Sequence, residues 1–150
     1  MSTFNDLYDK LRTTIPTLTG FSDKTEIPNP VSLADNNAKF LRDGWGIKVG
    51  DNSPQGDDYL MPSVVESQDF EIVLTSEVLG GKSDVVPMIT STKALRDDIA
   101  AMEIDFTGSR FGIADKVENI TVNSISGVES VTSEKKIITI SVTFNFTYWR

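Results

Sequence analysis

Few side chains in this chain are able to do chemistry, and the types that usually do it are missing. Of the 150 residues none is Cys and none is His, which removes disulfides, thiolate nucleophiles, structural zinc of the Cys/His kind and imidazole acid–base catalysis. The densest set of oxygen ligands is DNSPQGDDYLMP, where Asp51, Ser53 and Gln55 take the first, third and fifth positions of a calcium loop and Gly56 the sixth. Pro62 stands at the twelfth, where a bidentate Glu is needed, and no helical pattern flanks the segment. Asp57–Asp58 therefore reads as a solvated turn. A second charged run, Arg96-Asp97-Asp98, has no partner acid, base or metal ligand beside it and reads as the wet face of a helix. Gly44-Trp45-Gly46 lacks the following helix that a phosphate site requires, and no P-loop, G-x-G-x-x-G or G-x-S-x-G is present. A Ser or Lys nucleophile would have no visible activating partner. The expectation is a protein without catalytic residues, cofactor or metal.

What must then be positioned is surface, and the elements that position it are legible. From Ile138 the last residues alternate: Ile138, Ile140, Val142, Phe144, Phe146 and Tyr148 on one side, Thr139, Ser141, Thr143, Asn145, Thr147 and Trp149 on the other. A period of two is a strand with one buried face, and its span of roughly 40 Å is enough to cross a small domain. The rest of the chain is organised around it. SQDFEIVLTSEVLGG predicts a second strand over about 68–79, with Phe70, Ile72, Leu74 and Val78 on one face and Glu71, Thr75 and Glu77 on the other. Trp45, Ile47 and Val49 predict a short strand over about 43–50. In VENITVNSISGVESV, the parity shift from Ile120 and Val122 to Ile125 predicts a bulge near Ser124, and Gly127 to Glu134 reads as a mobile hairpin loop.

Two helices are expected. Phe4, Leu7, Tyr8, Leu11 and Ile15 form one stripe over about 3–14, capped by Ser2 or Thr3 and stopped by Pro16. Core packing is its ordinary use; a detachable partner-binding helix is the functional alternative. Met88, Thr92, Leu95, Ile99 and Met102 mark the seam of the main helix, about 85–103, with Ser83 or Asp84 as N-cap and Pro87 in its first turn. Residues 16–37, with Pro16, Pro28, Pro30 and Asn36–Asn37, read as a long loop of the kind that is functional or drapes over a neighbour. Tyr59, Leu60 and Met61 are an apolar cluster on another loop, either core anchor or interface contact.

Residues 1–150 are expected to form a single domain with one core. Its net charge of −8 excludes ordinary nucleic-acid binding, which needs a basic footprint. No run approaches the roughly 18 apolar residues of a membrane helix, and MSTFNDLYDK lacks a signal-peptide pattern, so a soluble protein made in a cytoplasm is expected. The fold class is α+β: a twisted, mostly antiparallel sheet of about four to five strands packed by two helices, with long loops.

This order of elements resembles the tail terminator (tail-completion) proteins of long-tailed bacteriophages. The likeness is carried by QDFEIVLTSEVLG leading into VVPMITSTKALRDDIAAM, by the extended connection GSRFGIADKVENITVNSISGV, and by the alternating end ISVTFNFTYWR. The N-terminal half fits less closely and leaves a tube, head–tail joining or neck protein as the related alternative. The resemblance implies a homo-hexameric ring in the virion that caps the tail tube, stops its polymerisation and meets the head-completion complex at the neck. Partners would be the tail tube protein, head-completion and neck proteins and, in a contractile tail, the sheath. DNA would pass through the channel without specific binding, and no membrane is involved. Closed rings need two different complementary patches per subunit. Candidate interface residues are Trp149 and Arg150, of types enriched at interface hot spots, together with Tyr59, Leu60 and Met61. Tyr148 falls on the apolar register, and core burial is its expected fate. A self-contained, soluble α+β domain that binds a small ligand or a cellular protein is the rival class, and it predicts a monomer with a closed apolar pocket.

Overall fold

The computed structural model describes residues 3–18, 21, 23–55, 65–78, 91–102, 117–127, 129–132 and 137–149. Six strands form one sheet: β1 (Thr25–Glu26), β2 (Asp43–Gln55), β3 (Val65–Glu77), β4 (Val117–Ile125), β5 (Glu129–Thr132) and β6 (Ile137–Trp149). Across the sheet the order is β1-β2-β3-β6-β4, and β5 pairs with β6 as well. Among the described residues only β1 and β2 run parallel; every other pair is antiparallel. The helices are α1 (Thr3–Thr14), a single turn α2 (Ala38–Leu41), and α3 over residues 91–102. The α+β class expected from the sequence is therefore the class found.

β6 lies inside the sheet, hydrogen-bonded to β3 along one edge and to β4 and β5 along the other, while its alternation buries one face. Along β3 the register runs without interruption from Val65↔Trp149 to Glu77↔Ile137. That places Phe70, Ile72 and Leu74 beside Phe144, Val142 and Ile140 on one face, all fully buried. On that face α1 contributes Leu7 and Leu11, followed by Ile15, and α3 contributes Leu95, Ile99 and Met102, all in one core cluster. Leu7, Leu11 and Ile15 of the first predicted stripe, with Phe4 and Tyr8 against them, and Leu95, Ile99 and Met102 of the second are thus packed in the core, and α1 is a core helix. Phe70 is its aromatic hub, stacked with Phe4 at 5.6 Å between ring centres and edge-on to Phe146 at 5.6 Å. Pro16 sits in a 3₁₀ turn, Ile15–Thr17, that follows directly on α1; it ends the helix by lacking the N–H a further turn would need.

Three expectations about the strands are corrected and one is met. β2 runs past Gly50 to Gln55, because a bulge between Val49 and Asn52 absorbs the turn-like Gly50–Asp51 and returns the chain to register. Asp51, Ser53 and Gln55 therefore lie on a strand and not in a loop. β3 begins three residues earlier than expected, at Val65, and ends two earlier, at Glu77. The bulge near Ser124 is present, between Val122 and Ser124. Residues 129–132, however, do not belong to a hairpin loop: they form β5, which pairs with the same edge of β6 further along, so β4 and β5 are one edge strand interrupted around Ser126–Gly127.

In the long segment 16–37, Leu18, Phe21 and Ile27 are buried against the chain's own fold. Ile27, Leu41 and Ile137 form a second, small cluster, with Leu33 against it. Two glycines make room for this layer. A Cβ on Gly44 would collide with the Phe40 carbonyl oxygen, and one on Gly46 would lie 2.7 Å from Pro30 Cβ. The loop is held in shape by Asn36, whose Nδ2 donates to the carbonyls of Asn29, Ser32 and Leu33 at 2.8–3.1 Å while its Oδ1 accepts Asn29 N–H at 2.9 Å. Gly56, Asp57–Asp58, Pro62, Gly80–Gly81, Ser2, Ser83, Asp84, Pro87, Met88, Gly108 and Gly112 lie outside the described residues.

Candidate assembly surfaces

The described residues that flank the candidate interface residues are neighbours in the sheet. The chain leaves β2 at Gln55 and returns at Val65, and these two residues pair with each other. Val65 pairs on its other side with Trp149. The connection carrying Tyr59, Leu60 and Met61 and the C-terminal end carrying Trp149 and Arg150 therefore both depart from the same end of the sheet. Tyr59, Leu60, Met61 and Arg150 themselves lie outside the described residues, as does the Trp149 side chain.

One residue earlier, Tyr148 is fully buried, as its register predicted. Its hydroxyl donates to Glu66 Oε1 at 2.7 Å. Glu66 is itself 9% exposed, so this bond gives a carboxylate on the core side of β3 a charge-assisted donor. Gln68, two residues along, is also buried and builds the β2 bulge: its Nε2 donates to Gly50 O at 3.0 Å, and its Oε1 accepts from Asn52 Nδ2 at 2.9 Å.

The opposite face of β3 and β6 carries half-buried polar residues, Ser141, Thr143, Asn145 and Thr147 beside Glu71, Asp69 and Ser67, with the buried Val73 next to Ser141. Asn145 Nδ2 donates to Ser67 Oγ and, at 2.8 Å, to Asp69 Oδ1, which also accepts Asn123 Nδ2 at 3.1 Å. Further along, Lys48 Nζ meets Glu71 Oε2 at 3.5 Å. There the loop at 30–34 overhangs the sheet and encloses a cleft of about 390 Å³ lined by Val31, Leu33, Lys48, Glu71, Thr139 and Ser141. Chemically this surface offers hydrogen bonding and local charge. Asp69 is engaged by the carboxamides of Asn145 and Asn123, and Glu71 by the Lys48 ammonium.

One cluster escaped the sequence reading. Lys24 Nζ bonds Asp43 Oδ1 and stands 3.2 Å from Asp98 Oδ2, with its side chain 5% exposed and its charge 5.4 Å from the centre of the Phe21 ring. It ties the segment before β1 to the first residue of β2 and to α3. Asp98 was expected on a wet face; it is half-buried, and that desolvation holds its carboxyl above the usual aspartate range, against the pull of Lys24. Lys24, Asp43 and Asp98 are far apart in sequence, and no local pattern joins them. At the other side of the segment Arg12 clasps Glu26 through two bonds, 3.0 and 2.8 Å.

No protein-family model matches the chain, and no curated protein matches it.

Proposed function

We propose that this chain is a structural subunit of a long-tailed phage virion, a tail terminator: six copies close into a ring on the tail tube, end its polymerisation, and join the tail to the head-completion complex at the neck. It acts by shape and contact, without catalysis or cofactor. Its partners are further copies of itself, the tube protein, the head-completion and neck proteins and, in a contractile tail, the sheath. It is made in the host cytoplasm and resides in the virion.

The observation that carries the reading is the placement of β6. A two-faced strand lies inside the sheet between β3 and β4, α1 and α3 pack on one face, and the opposite face carries Ser67, Asp69, Glu71, Thr143, Asn145 and Thr147. At one end of that sheet Gln55, Val65 and Trp149 lie side by side, the residues from which the connection carrying Tyr59, Leu60 and Met61 and the C-terminal residue start. A subunit of a closed ring needs distinct patches for its neighbours and for the structures above and below, and this arrangement supplies distinct sides. The net charge of −8 suits a channel through which DNA slides, since phosphate binding depends on cations. The other tail and neck components remain the related alternative. Electron microscopy of tail tubes mixed with the purified chain separates them: rings on one end of each tube fit a terminator, incorporation along the tube fits a tube protein, and binding only to filled heads fits a neck protein.

The cleft of about 390 Å³ favours one reading from another class, a domain that binds a small ligand, because its size lies in the range of such sites. That reading predicts a monomer that ignores tail tubes and gains thermal stability from a compound filling the cleft.

A further inference from the structure

Among the described residues, the outer side of β2 is paired only near its start. Thr25 and Glu26 lie beside Gly44 and Trp45, and Ile27 N–H donates to Trp45 O at 2.7 Å. Donors along an extended strand recur at every second residue, so the next would be Asn29 N–H. That group donates to Asn36 Oδ1 instead, and Pro28 and Pro30 have no N–H to give. Since the Trp45 carbonyl faces outward, alternation turns the N–H and C=O of Ile47 and Val49 outward as well. Beyond Val49 the edge is blunted by the bulge that Gln68 braces, and Pro54 carries no donor. The open stretch is thus short and fixed in register, Gly46 to Val49. A cleft of about 420 Å³ runs beside it, lined by Tyr8, Arg12, Glu26, Pro28, Pro30 and Ile47.

The far edge of the sheet is β4, which among the described residues pairs with β6 alone. Register across the sheet links Val49 to Phe70, Phe144 and Val122, and Ile125 to Val142, Ile72 and Ile47. Val49 and Ile125 therefore belong to the same, helix-covered face at opposite edges. They are 55% and 36% exposed, two of the three large apolar side chains exposed among the described residues. β2, β3, β6 and β4 are antiparallel in turn, so β2 and β4 run in opposite directions. A row of outward main-chain groups is matched by another extended backbone, and the β4 edge of a second copy offers one of the right direction with an apolar residue on the right face.

The geometry points to strand addition between copies of this chain: Gly46–Val49 of one subunit pairs antiparallel with the β4 edge of the next, and Val49 packs against Ile125 across the join. The contact is heterologous, so it rests on the ring reading above and supplies its repeating step. Because the open stretch is short, one join is weak. The ring is held where closure or a tube end keeps neighbours in place, through the effective concentration that multiple contacts create.

A chain without cysteine makes the test clean. Val49→Cys and Ile125→Cys, singly, mixed in equal amounts, and combined, are treated with a short bismaleimide on tail tubes and in concentrated solution. The mixture is expected to give cross-linked pairs and the combined variant a ladder of covalent oligomers, while each single variant gives none. Self-linking of Val49→Cys would mean β2 edges meeting back to back and would overturn the inference. Rings on tubes without cross-links would overturn strand addition and leave the terminator reading intact. Cross-links in solution without rings on tubes would uphold strand addition and sink that reading; no cross-links in either setting overturns the inference. Val49→Lys puts a charge on the edge in place of a side chain already exposed. It should weaken self-association roughly ten-fold or more with an unchanged melting temperature; unchanged association would count against the join.

Discussion

Ser126 and Ser141 exchange two hydrogen bonds at the point where β4 gives way to β5. Ser126 N–H donates to Ser141 O at 2.8 Å, and Ser141 N–H donates not to a backbone carbonyl but to Ser126 Oγ at 2.9 Å. The side chain stands in for a main-chain acceptor, so one edge strand passes a kink without leaving the β6 N–H orphaned. Ser126→Ala should cost about 1–2 kcal/mol, because the half-buried amide of Ser141 loses its acceptor. Ser126→Thr, which keeps the oxygen, should cost less. The check is the urea midpoint at constant m-value; equal stabilities for the two variants would contradict this role.

The Tyr148 hydroxyl and Glu66 form the corresponding lock at the other end of β6. Tyr148→Phe should destabilise by about 1–2 kcal/mol, the loss of a hydrogen bond to a buried charged group. Glu66→Gln in the Tyr148→Phe background should cost less than in the wild type, since the removed interactions are shared. A double-mutant cycle of denaturation free energies measures the coupling, and a coupling near zero would show the bond to be idle.

Asp98 gives the fold a pH signature. Its folded carboxyl titrates above the ordinary aspartate value of about 3.9, chiefly through desolvation. The folded state therefore takes up this proton before the unfolded chain does. The group's contribution to stability is fully present below the unfolded pKa and is lost as pH rises through the folded one. Asp98→Asn should flatten the pH dependence of unfolding free energy in the window from the ordinary aspartate value upward. A curve with the wild-type slope there would show that Asp98 is not the group responsible.

Much of this architecture stands in the sequence, because the residues that make it repeat. The alternation of Ile138 to Tyr148 marks a strand buried on one face, and the spacing of Leu95, Ile99 and Met102 marks a helix seam. The missed parts have no period. β1 has only two residues, and its pairing is decided by Ile27 reaching Trp45 O across the chain. Thr75, on the polar side by pattern, is fully buried with its hydroxyl unpartnered among the described residues, next to the close approach of Phe40 at Gly44. Gly44-Trp45-Gly46, tested as a phosphate loop, is where that layer lies down on the sheet. The Lys24 clamp joins Asp43 and Asp98 across most of the chain, and only tertiary structure creates it. Of the candidate surface residues, the backbone pairing of Gln55, Val65 and Trp149 brings their segments to one end of the sheet, a convergence not visible in the sequence.

The Trp149 backbone pairs with Val65 at that end, one residue past the buried Tyr148, and Arg150 follows it in sequence. Replacing both by Ala should weaken assembly on tail tubes more than folding, as expected of residue types that dominate interface energetics. Pelleting with tubes and thermal denaturation are read side by side. Undiminished binding with a lowered melting temperature would move these residues from the interface to the core.

The central claim is that the chain ends tail growth, and tube length tests it most directly. Tube protein is polymerised on its initiator in the presence and absence of the purified chain, and length distributions are measured by electron microscopy over time. The account predicts tubes that stop lengthening once the chain is added, each bearing one ring at its growing end. Tubes that grow on at an unchanged rate, with no density at their tips, would contradict it.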